Sequence, residues 1–526
     1  MTTNPVDKRP DSGRSDLATL AAEYGLEYVT VVDDGALDSE LLAQLPVEWA
    51  RENALLPIRL DGVPRLLVSD PNAVGEQEYV SILTGMNLQP LLAPREIVLA
   101  CIERGYYQKD NSPSDFIDDL EGDSAPVLRP QVDDLLQVAN EAPVTQLINL
   151  ILLDAFKQRA SDIHVEPFED RLRIRYRIDG YLYEQPSPPA KMVQSLVSRL
   201  KVMSHMDIAE RRLPQDGMAR VRVGAREVDI RVSTIPVPEG ERVVLRLLDK
   251  SSTLLPMEAL GMELECRNRF STLLTQSNGI IVVSGPTGSG KTTTLYAALG
   301  ELDSSRRNIL TIEDPIEYRL DNIGQIQVKR KIGLTFANGL RHILRQDPDV
   351  ILVGETRDTE TAEIALRASL TGHLVFTTLH TNDAVSAVFR LIDMGIEPYL
   401  LSACLRGVLS QRLVRKLCLH CRAPHVVEAT EVQKYGDAWA TLAGKSVWNA
   451  AGCDQCTGGY RGRVGIFELL TITPMLRDLI RENRCGIDEL RAATTDSHLT
   501  SFSDDGIAKI LNGVTTIDEI LSTTST

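Results

Sequence analysis

The sequence lacks a long apolar run. No stretch of its 526 residues reaches the roughly 18 uninterrupted apolar residues that a membrane-spanning helix needs. Residues 1–16, MTTNPVDKRPDSGRSD, contain no apolar segment of the kind that a signal peptide carries. We therefore expect a cytoplasmic protein without a membrane span.

The chain is short of positive charge. It has 56 Lys and Arg residues against 73 Asp and Glu residues, a formal net charge of −17. Nucleic acids and anionic membranes attract basic surfaces, so this surplus of acidic residues argues against either as a broad binding surface. We therefore expect no nucleic acid among the partners, and a DNA or RNA motor is disfavoured.

Cysteine is also scarce, and eight residues in so long a chain do not suggest a disulfide scaffold. Four of them form two CxxC pairs, a pattern that points to metal in a reducing compartment. Four thiolate ligands leave no open coordination position, so we expect a structural zinc ion. The predicted ligands are Cys418, Cys421, Cys453 and Cys456. The alternative is four unrelated free thiols.

A glycine-rich turn separates an apolar run from a helical pattern in residues 280–295, IIVVSGPTGSGKTTTL. The spacing matches the phosphate-binding pattern GxxxxGK[ST], in which glycines let backbone amides face an anion at the start of a helix. We predict that Lys291 contacts the β- and γ-phosphates of ATP and that the Thr292 hydroxyl binds Mg²⁺. The alternative is a flexible loop. The predicted nucleotide-binding residues are Gly285, Pro286, Thr287, Gly288, Ser289, Gly290, Lys291, Thr292 and Thr293.

Polar residues follow three further apolar runs. From about residue 254 such runs alternate with helical patterns, which predicts a mostly parallel sheet covered on both faces. Ligands collect beyond the carboxyl ends of such strands. We therefore predict that Glu355 takes the role beside Mg²⁺ that a Walker-B aspartate usually has. We also predict that Glu313 is the base for the attacking water and that His380 senses the γ-phosphate. A surface or structural role is the alternative for each residue.

Four arginines are candidates for contact with the nucleotide. Arg231 and Arg246 lie on the two halves of a strand-like segment at 227–248, and Arg341 and Arg345 share a face of a helix predicted at 335–345. In residues 171–178 further arginines alternate with apolar residues, which predicts a strand with one basic face. That face is either solvated or turned toward an anion.

Composition divides the chain into several parts. A polar start and an acidic, Ser- and Pro-rich stretch are typical of flexible segments. The predicted parts are a disordered tail (1–16), a small N-terminal α/β domain (17–108), a flexible linker (109–130), a second domain (131–250), and an ATPase domain (251–526) that includes a zinc-binding subdomain (415–465) and C-terminal helices (466–526).

Four sequence boxes resemble those of the secretion ATPase superfamily. They are GPTGSGKTT (285–293), TIEDPIEY (311–318), ILVGETRD (351–358) and GHLVFTTLHTND (372–383). The likeness covers most of residues 140–510. The two CxxC pairs and residues 394–418 fit the type II secretion ATPase branch, the general secretory pathway protein E family.

The resemblance implies the fold and the activity. It implies a RecA-like P-loop ATPase core, preceded by an α+β (PAS-like) domain and a small N-terminal α/β domain. It also implies a hexameric motor that hydrolyses ATP at the cytoplasmic face of the bacterial inner membrane. The N-terminal domain would dock on the cytoplasmic part of a bitopic inner-membrane protein, and the ring would act on a polytopic platform protein to drive pseudopilus assembly.

The resemblance also assigns site residues. Arg231, Arg246, Arg341 and Arg345 match family arginines that approach the γ-phosphate. Two positions depart from the family pattern: Met218 stands where an arginine commonly follows QDG, and Thr356 stands where GEIRD has isoleucine. Two other functions stay open, a pilus-extension motor of the same superfamily and a ring scaffold that binds ATP without turning it over.

Overall fold

The structure is a computed structural model, and it divides into two compact units, residues 1–251 and 252–526. It describes residues 20–42, 44–45, 47–60, 62–107, 133–134, 143–189, 192–223, 226–249, 255–482, 486–495 and 499–524. The predicted disordered tail and flexible linker lie outside these residues. Within them, no helix combines the length and the apolar character that crossing a membrane requires.

The first unit contains a small α/β region near its N-terminus. Its strands are β1 (Glu27–Tyr28), β2 (Leu55–Leu60), β3 (Val63–Val68) and β4 (Gln89–Leu92), in the sheet order β1-β4-β3-β2. Its described helices are α1 (Ser39–Leu42), α2 (Val47–Asn53), α3 (Val74–Thr84) and α4 (Arg95–Tyr107). Strands β2 and β3 pair antiparallel and bury Leu56, Ile58, Leu66 and Leu67, so the core of this region forms around their hairpin.

A second sheet completes the first unit. Its strands are β5 (Asp133–Asp134), β6 (Asp162–Pro167), β7 (Leu172–Ile178), β8 (Tyr181–Gln185), β9 (Gln215–Val223), β10 (Arg226–Val237) and β11 (Gly240–Asp249), in the order β5-β9-β10-β11-β6-β7-β8. The described helices α5 (Pro143–Lys157) and α6 (Val193–Met203) share its apolar core. The strand predicted at 171–178 is confirmed as β7. Its Arg173 and Arg175 donate to the buried Glu166 at 3.0 and 2.7 Å, so its basic face is partly ion-paired.

The second unit is built on a mostly parallel sheet, as predicted. Its strands are β12 (Gly279–Ser284), β13 (Ile309–Glu313), β14 (Gly324–Gln327), β15 (Val350–Val353), β16 (Leu374–Leu379), β17 (Leu405–Leu417) and, after a small insertion, β20 (Tyr460–Thr471). The order is β14-β13-β15-β16-β12-β17-β20, and β20 runs antiparallel to β17. Strands β13, β15, β16 and β12 are therefore consecutive neighbours, which brings their carboxyl ends to one edge.

Helices cover this sheet. They are α7 (Leu264–Leu274), α8 (Lys291–Gly300), α9 (Phe336–Ile343), α10 (Thr359–Leu370), α11 (Ala384–Asp393) and α12 (Pro398–Cys404). The insertion between β17 and β20 holds β18 (Ala423–Val426), α13 (Ala429–Tyr435) and β19 (Ser446–Asn449). After β20 come α14 (Pro474–Glu482), α15 (Ile487–Thr495), α16 (Phe502–Leu511) and α17 (Ile517–Thr524).

The helix predicted at 335–345 is shorter than expected. It runs from Phe336 to Ile343, and the Thr335 side chain caps its start by accepting from the backbone N–H of Asn338. Leu344 still has helical backbone angles, but the backbone N–H of Arg345 bonds to the His342 carbonyl at 3.1 Å, three residues back, so the last turn tightens as the helix ends. The predicted helix end at 345 is therefore two residues too late. Arg345 lies beyond the helix, and its Nη1 donates to the Arg341 carbonyl at 2.8 Å.

Candidate functional site

The phosphate-binding loop connects β12 to α8. Gly285, Gly288 and Gly290 have φ values of 145°, 79° and 87°, a region that favours glycine. A Cβ added at Gly285 would lie 2.3 Å from the Gln411 carbonyl oxygen, so the loop packs too closely on β17 for any larger residue. The neighbouring strand thus fixes the loop, and Gln411 also accepts from Thr294 Oγ1 at 2.6 Å.

The loop has the donors that a phosphate needs. Lys291 is buried, and its Nζ donates to the carbonyls of Gly285 and Pro286 at 2.7 and 2.9 Å. Burial lowers the pKa of Lys291 to about 8, against the opposing effect of the Glu355 charge. The buried Ser289 hydroxyl has no hydrogen-bond partner among the described residues. The glycine cradle, the unpaired hydroxyl and the helix start therefore fit a phosphate group.

Glu355 lies just beyond the carboxyl end of β15. Its Oε1 is 3.1 Å from Nε2 of His380, and its Oε2 is 2.6 Å from Nη2 of Arg357. Burial raises the pKa of the Glu355 carboxyl, but the hydrogen bond from Arg357 and the nearby positive charges outweigh it, and the pKa lies below its ordinary value. The carboxylate is therefore ionised at neutral pH. The backbone before Glu355 packs tightly on β13, because a Cβ at Gly354 would lie 3.1 Å from the Ile312 carbonyl oxygen.

His380 follows β16, which is the direct neighbour of β15. Burial and the charge of Lys291 lower the pKa of the imidazole, so the ring is neutral at pH 7. The Nε2–H then donates to Glu355, and the other ring nitrogen is an acceptor. The Thr378 hydroxyl donates to the Gly354 carbonyl at 2.7 Å, which ties the ends of the two strands together. The structure thus brings Lys291, Glu355 and His380 to one place.

The hydroxyl of Thr356, one of the two positions that depart from the expected pattern, has a hydrogen-bond partner on a neighbouring strand. Thr356 is buried, and its hydroxyl lies 2.6 Å from the Thr377 hydroxyl on β16. The threonine therefore pairs with its neighbouring strand, without an unpaired polar group next to Glu355.

Glu313 ends β13 in a different setting. The side chain is buried and accepts hydrogen bonds from the Tyr296 hydroxyl, from Thr311 Oγ1 at 2.5 Å and from Gln325 Nε2 at 3.2 Å. Each carboxylate oxygen is thus already engaged, and Tyr296 belongs to helix α8 behind the phosphate loop. These contacts join β13 to that helix. Sequence reasoning missed Tyr296 and Gln325, because no local pattern marks residues that meet only through the fold.

The four candidate arginines fall into two groups. In the second unit, Arg341 Nη2 lies 2.6 Å from Glu360, and Arg345 Nη2 lies 2.5 Å from Nδ1 of His342. In the first unit, Arg231 and Arg246 stand directly opposite each other on β10 and β11.

Two neighbours complete the setting of the first-unit arginines. Arg246 Nε donates to Asp162 at 2.9 Å, and the exposed Met218 is the partner of Arg231 on β9. Arg231 therefore lies between Arg246 and an apolar side chain, at the position where the sequence resemblance implies a third arginine. Contact of these arginines with a nucleotide stays a prediction.

The predicted cysteine cluster is assembled in the insertion between β17 and β20. One thiol from each cysteine lies within 4.8 Å of the others, and three of the Sγ···Sγ distances are 3.9, 3.7 and 3.6 Å. Four thiolates at about 2.3 Å around a tetrahedral Zn²⁺ ion would be about 3.8 Å apart. The four thiols therefore fit a shared metal ion. They belong to Cys418, Cys421, Cys453 and Cys456.

Comparison with known proteins identifies related families and chains. A family model described as a type II/IV secretion system protein matches residues 137–522, and an MshEN domain model matches residues 24–112. The chain is 48% identical to the type II secretion system protein E of Dickeya dadantii over 92% of this chain and 98% of that protein. It is 41% identical to the type IV pilus assembly ATPase PilB of Myxococcus xanthus over 96% of this chain and 90% of that protein.

The fold has a counterpart among solved structures. The X-ray structure of the Legionella pneumophila ATPase DotB matches with a TM-score of 0.53 and 22% identity, over 72% of this chain and 95% of that chain. The predicted fold class, a RecA-like core in an α/β multidomain chain, is confirmed. With a family model that spans more than half of its length, the chain belongs to the type II/IV secretion system protein family.

Proposed function

We propose that the chain is an ATP-hydrolysing motor that powers type II protein secretion by driving pseudopilus assembly at the inner membrane. The observation that carries this proposal is the meeting of Lys291, Glu355 and His380 beside a phosphate-binding loop. The identity to a type II secretion system protein supports the choice of system. The similarity to PilB, whose name includes ATPase, supports the reaction.

In this proposal the phosphate loop holds the nucleotide. Backbone amides of the loop and the Lys291 ammonium bind the β- and γ-phosphates, and the Thr292 hydroxyl is a ligand for Mg²⁺. A bound Mg²⁺ ion would neutralise part of the charge that develops on the phosphates. The loop carbonyls that now accept from Lys291 keep the ammonium at the cradle until a phosphate replaces them.

In this proposal the Glu355 carboxylate lies beside the Mg²⁺ position and orients the attacking water. Arg357 and His380 hold one oxygen each, so the carboxylate has a defined direction. His380 can exchange its bond to Glu355 for one to the γ-phosphate, which suits a sensor of nucleotide state. The contacts of Glu313 favour a positioning role over the predicted role as base, because its side chain is buried and is held by three neighbouring side chains, whereas Glu355 lies beside Lys291 and His380.

The proposed working form is a homohexamer in the cytoplasm, attached peripherally to the inner membrane through partner proteins. The N-terminal region docks on the cytoplasmic part of a bitopic membrane protein, and the ring acts on a polytopic platform protein. Arg231, Arg246, Arg341 and Arg345 approach the γ-phosphate when the domains close around nucleotide. The four cysteines bind one structural zinc ion.

One relative favours a second candidate, a motor for pilus extension. The chain matches PilB almost as completely as it matches the secretion protein, although at lower identity. Deleting the gene in the bacterium that carries it separates the two functions. We expect loss of exported proteins from the medium with surface pili retained, and restoration by the wild-type gene but not by Lys291→Ala. Loss of pili with normal export would instead support pilus extension.

A further inference from the structure

The loop that carries His380 ends in a segment that later parts of the chain hold in place. His380 follows β16, and helix α11 begins at Ala384. Asn382 and Asp383 form the exit of the loop between them. The position of this exit limits where the His380 side chain can lie, because only Thr381 separates His380 from it.

Arg412 on β17 is the first contact with the exit. It is 6% exposed, and its Nη2 donates to the Asn382 carbonyl at 2.9 Å. Its Nη1 donates to the Thr523 carbonyl in helix α17, and its guanidinium lies 5.3 Å from the centre of the Phe502 ring. Arg412 therefore connects the exit of the histidine loop to the C-terminal helices.

Glu468 and Arg491 make two further contacts. Glu468 on β20 is buried and accepts from the backbone N–H of Ala384 at 2.7 Å. Arg491 on α15 donates to Asp383 Oδ2 at 2.9 Å. Asp383 Oδ1 also accepts from the backbone N–H of Ser386 at 2.6 Å, which caps α11. The contacts thus fix both the loop exit and the start of the next helix.

The loop exit is held by side chains from three separate elements, β17, β20 and α15. The two arginines make charge-assisted hydrogen bonds, which are roughly twice as strong as neutral ones, and Arg412 and Glu468 are both buried. Burial raises the pKa of Glu468 to about 7, and the carboxyl keeps an acceptor oxygen for the Ala384 N–H in either protonation state. A group that must meet another within a few tenths of an ångström needs such support from a surrounding layer. The group that this layer supports is the His380 imidazole, 3.1 Å from Glu355.

We propose that Arg412, Glu468 and Arg491 are positioning residues that hold His380 in line with Glu355 during turnover. The inference rests on the proposed function, because it gives these residues an effect on ATP hydrolysis through His380. None of them is expected to touch the nucleotide. Their loss should therefore slow turnover and leave nucleotide affinity nearly unchanged.

Steady-state ATPase kinetics of full-length variants tests this inference. We expect Arg412→Met and Arg491→Met to lower kcat about tenfold, with the KM for ATP and the Kd for ADP within about twofold of wild type. Glu468→Gln keeps an acceptor for Ala384 and should stay near wild type, whereas Glu468→Leu should be as slow as the arginine variants. Arg481→Met, at an exposed arginine of α14 that pairs with Asp478, is the matched control and should have no effect.

A double-mutant comparison with His380→Ala separates positioning from general damage. If the arginines act through His380, adding Arg491→Met to His380→Ala should slow turnover little further. If the two substitutions together lower kcat by the product of their separate effects, or if Arg491→Met alone keeps the wild-type kcat, the inference is overturned. Arg491 is half-exposed and its variant should fold even if Arg412→Met does not. Wild-type turnover by His380→Ala would overturn the proposed role of His380 and this inference with it, whereas a slow His380→Ala beside a fast Arg491→Met would overturn the inference alone.

Discussion

His380 Nε2 lies 3.1 Å from Glu355 Oε1, across the ends of two neighbouring parallel strands. Both residues follow strands that are fully buried and mostly apolar, and these strands pair side by side, so the contact results from the sheet order and not from closeness in sequence. A neutral imidazole beside an ionised carboxylate can respond to a phosphate without a change of charge on either group.

Replacing His380 should slow hydrolysis more than it weakens binding. In His380→Ala the Glu355 carboxylate loses one of its two fixed partners, and we expect kcat to fall about tenfold to a hundredfold while the Kd for ADP changes little. ATPase rates and ADP titrations measure the two effects. His373→Ala, at the opposite end of β16, is the control. A His380 variant with reduced ADP affinity and unchanged kcat would contradict a role in turnover.

Nucleotide affinity should fall as the pH rises above about 8. Burial lowers the pKa of Lys291 to about 8, and a bound phosphate favours the charged ammonium, so binding takes up a proton once the free lysine is neutral. We expect the affinity for Mg-ADP to decrease on the order of tenfold between about pH 7.5 and about pH 9.5. Calorimetric titrations across this range measure it, with Lys291→Met showing weak binding without the same pH dependence. If the affinity for Mg-ADP falls with pH as steeply in Lys291→Met as in the wild type, this prediction is contradicted.

The cysteine cluster should hold one zinc ion per chain. Elemental analysis of the purified protein measures the metal, and Cys453→Ser should lose it and unfold at a lower temperature, because zinc binding contributes to the stability of a small loop-rich unit. Cys404→Ala, at a buried cysteine outside the cluster, should keep its zinc. Purified wild-type protein that is folded and free of metal would count against the zinc site.

Turnover should depend on an arginine of the first unit. If Arg246 reaches the γ-phosphate in the assembled ring, Arg246→Ala should reduce kcat by roughly 10²-fold or more, and the activity per chain of the wild type should rise with protein concentration. Arg220→Ala is the control, because Arg220 is an exposed arginine of the same sheet that pairs with Asp229. Full activity of dilute monomers would defeat this assignment.

The sequence was sufficient where a local pattern sets the structure. The glycine spacing of the phosphate loop follows from backbone conformation, and the placement of Glu355 and His380 follows from the rule that ligands lie beyond the carboxyl ends of parallel strands. The paired CxxC motifs likewise carry their own chemistry, and the four thiols meet as that pattern predicts.

Contacts between distant segments were not predictable in the same way. The bonds from Tyr296 to Glu313 and from Arg412 to Asn382 join residues that no local pattern relates. The end of helix α9 at Ile343 was also missed, because it depends on the backbone conformation of the residues that follow. Single-sequence reasoning therefore identified side chains that the fold brings together, Lys291, Glu355 and His380, but not the contacts around them.

The most direct test of the proposed activity is the phosphate release rate of Glu355→Gln beside its ability to bind Mg-ATP. The substitution keeps the size of the side chain and removes its charge. We predict that phosphate release falls by about 10²-fold or more and that binding is retained, whereas Lys291→Ala loses binding. Unchanged phosphate release by Glu355→Gln, with binding lost in Lys291→Ala, would contradict hydrolysis at this site and support a nucleotide-dependent scaffold.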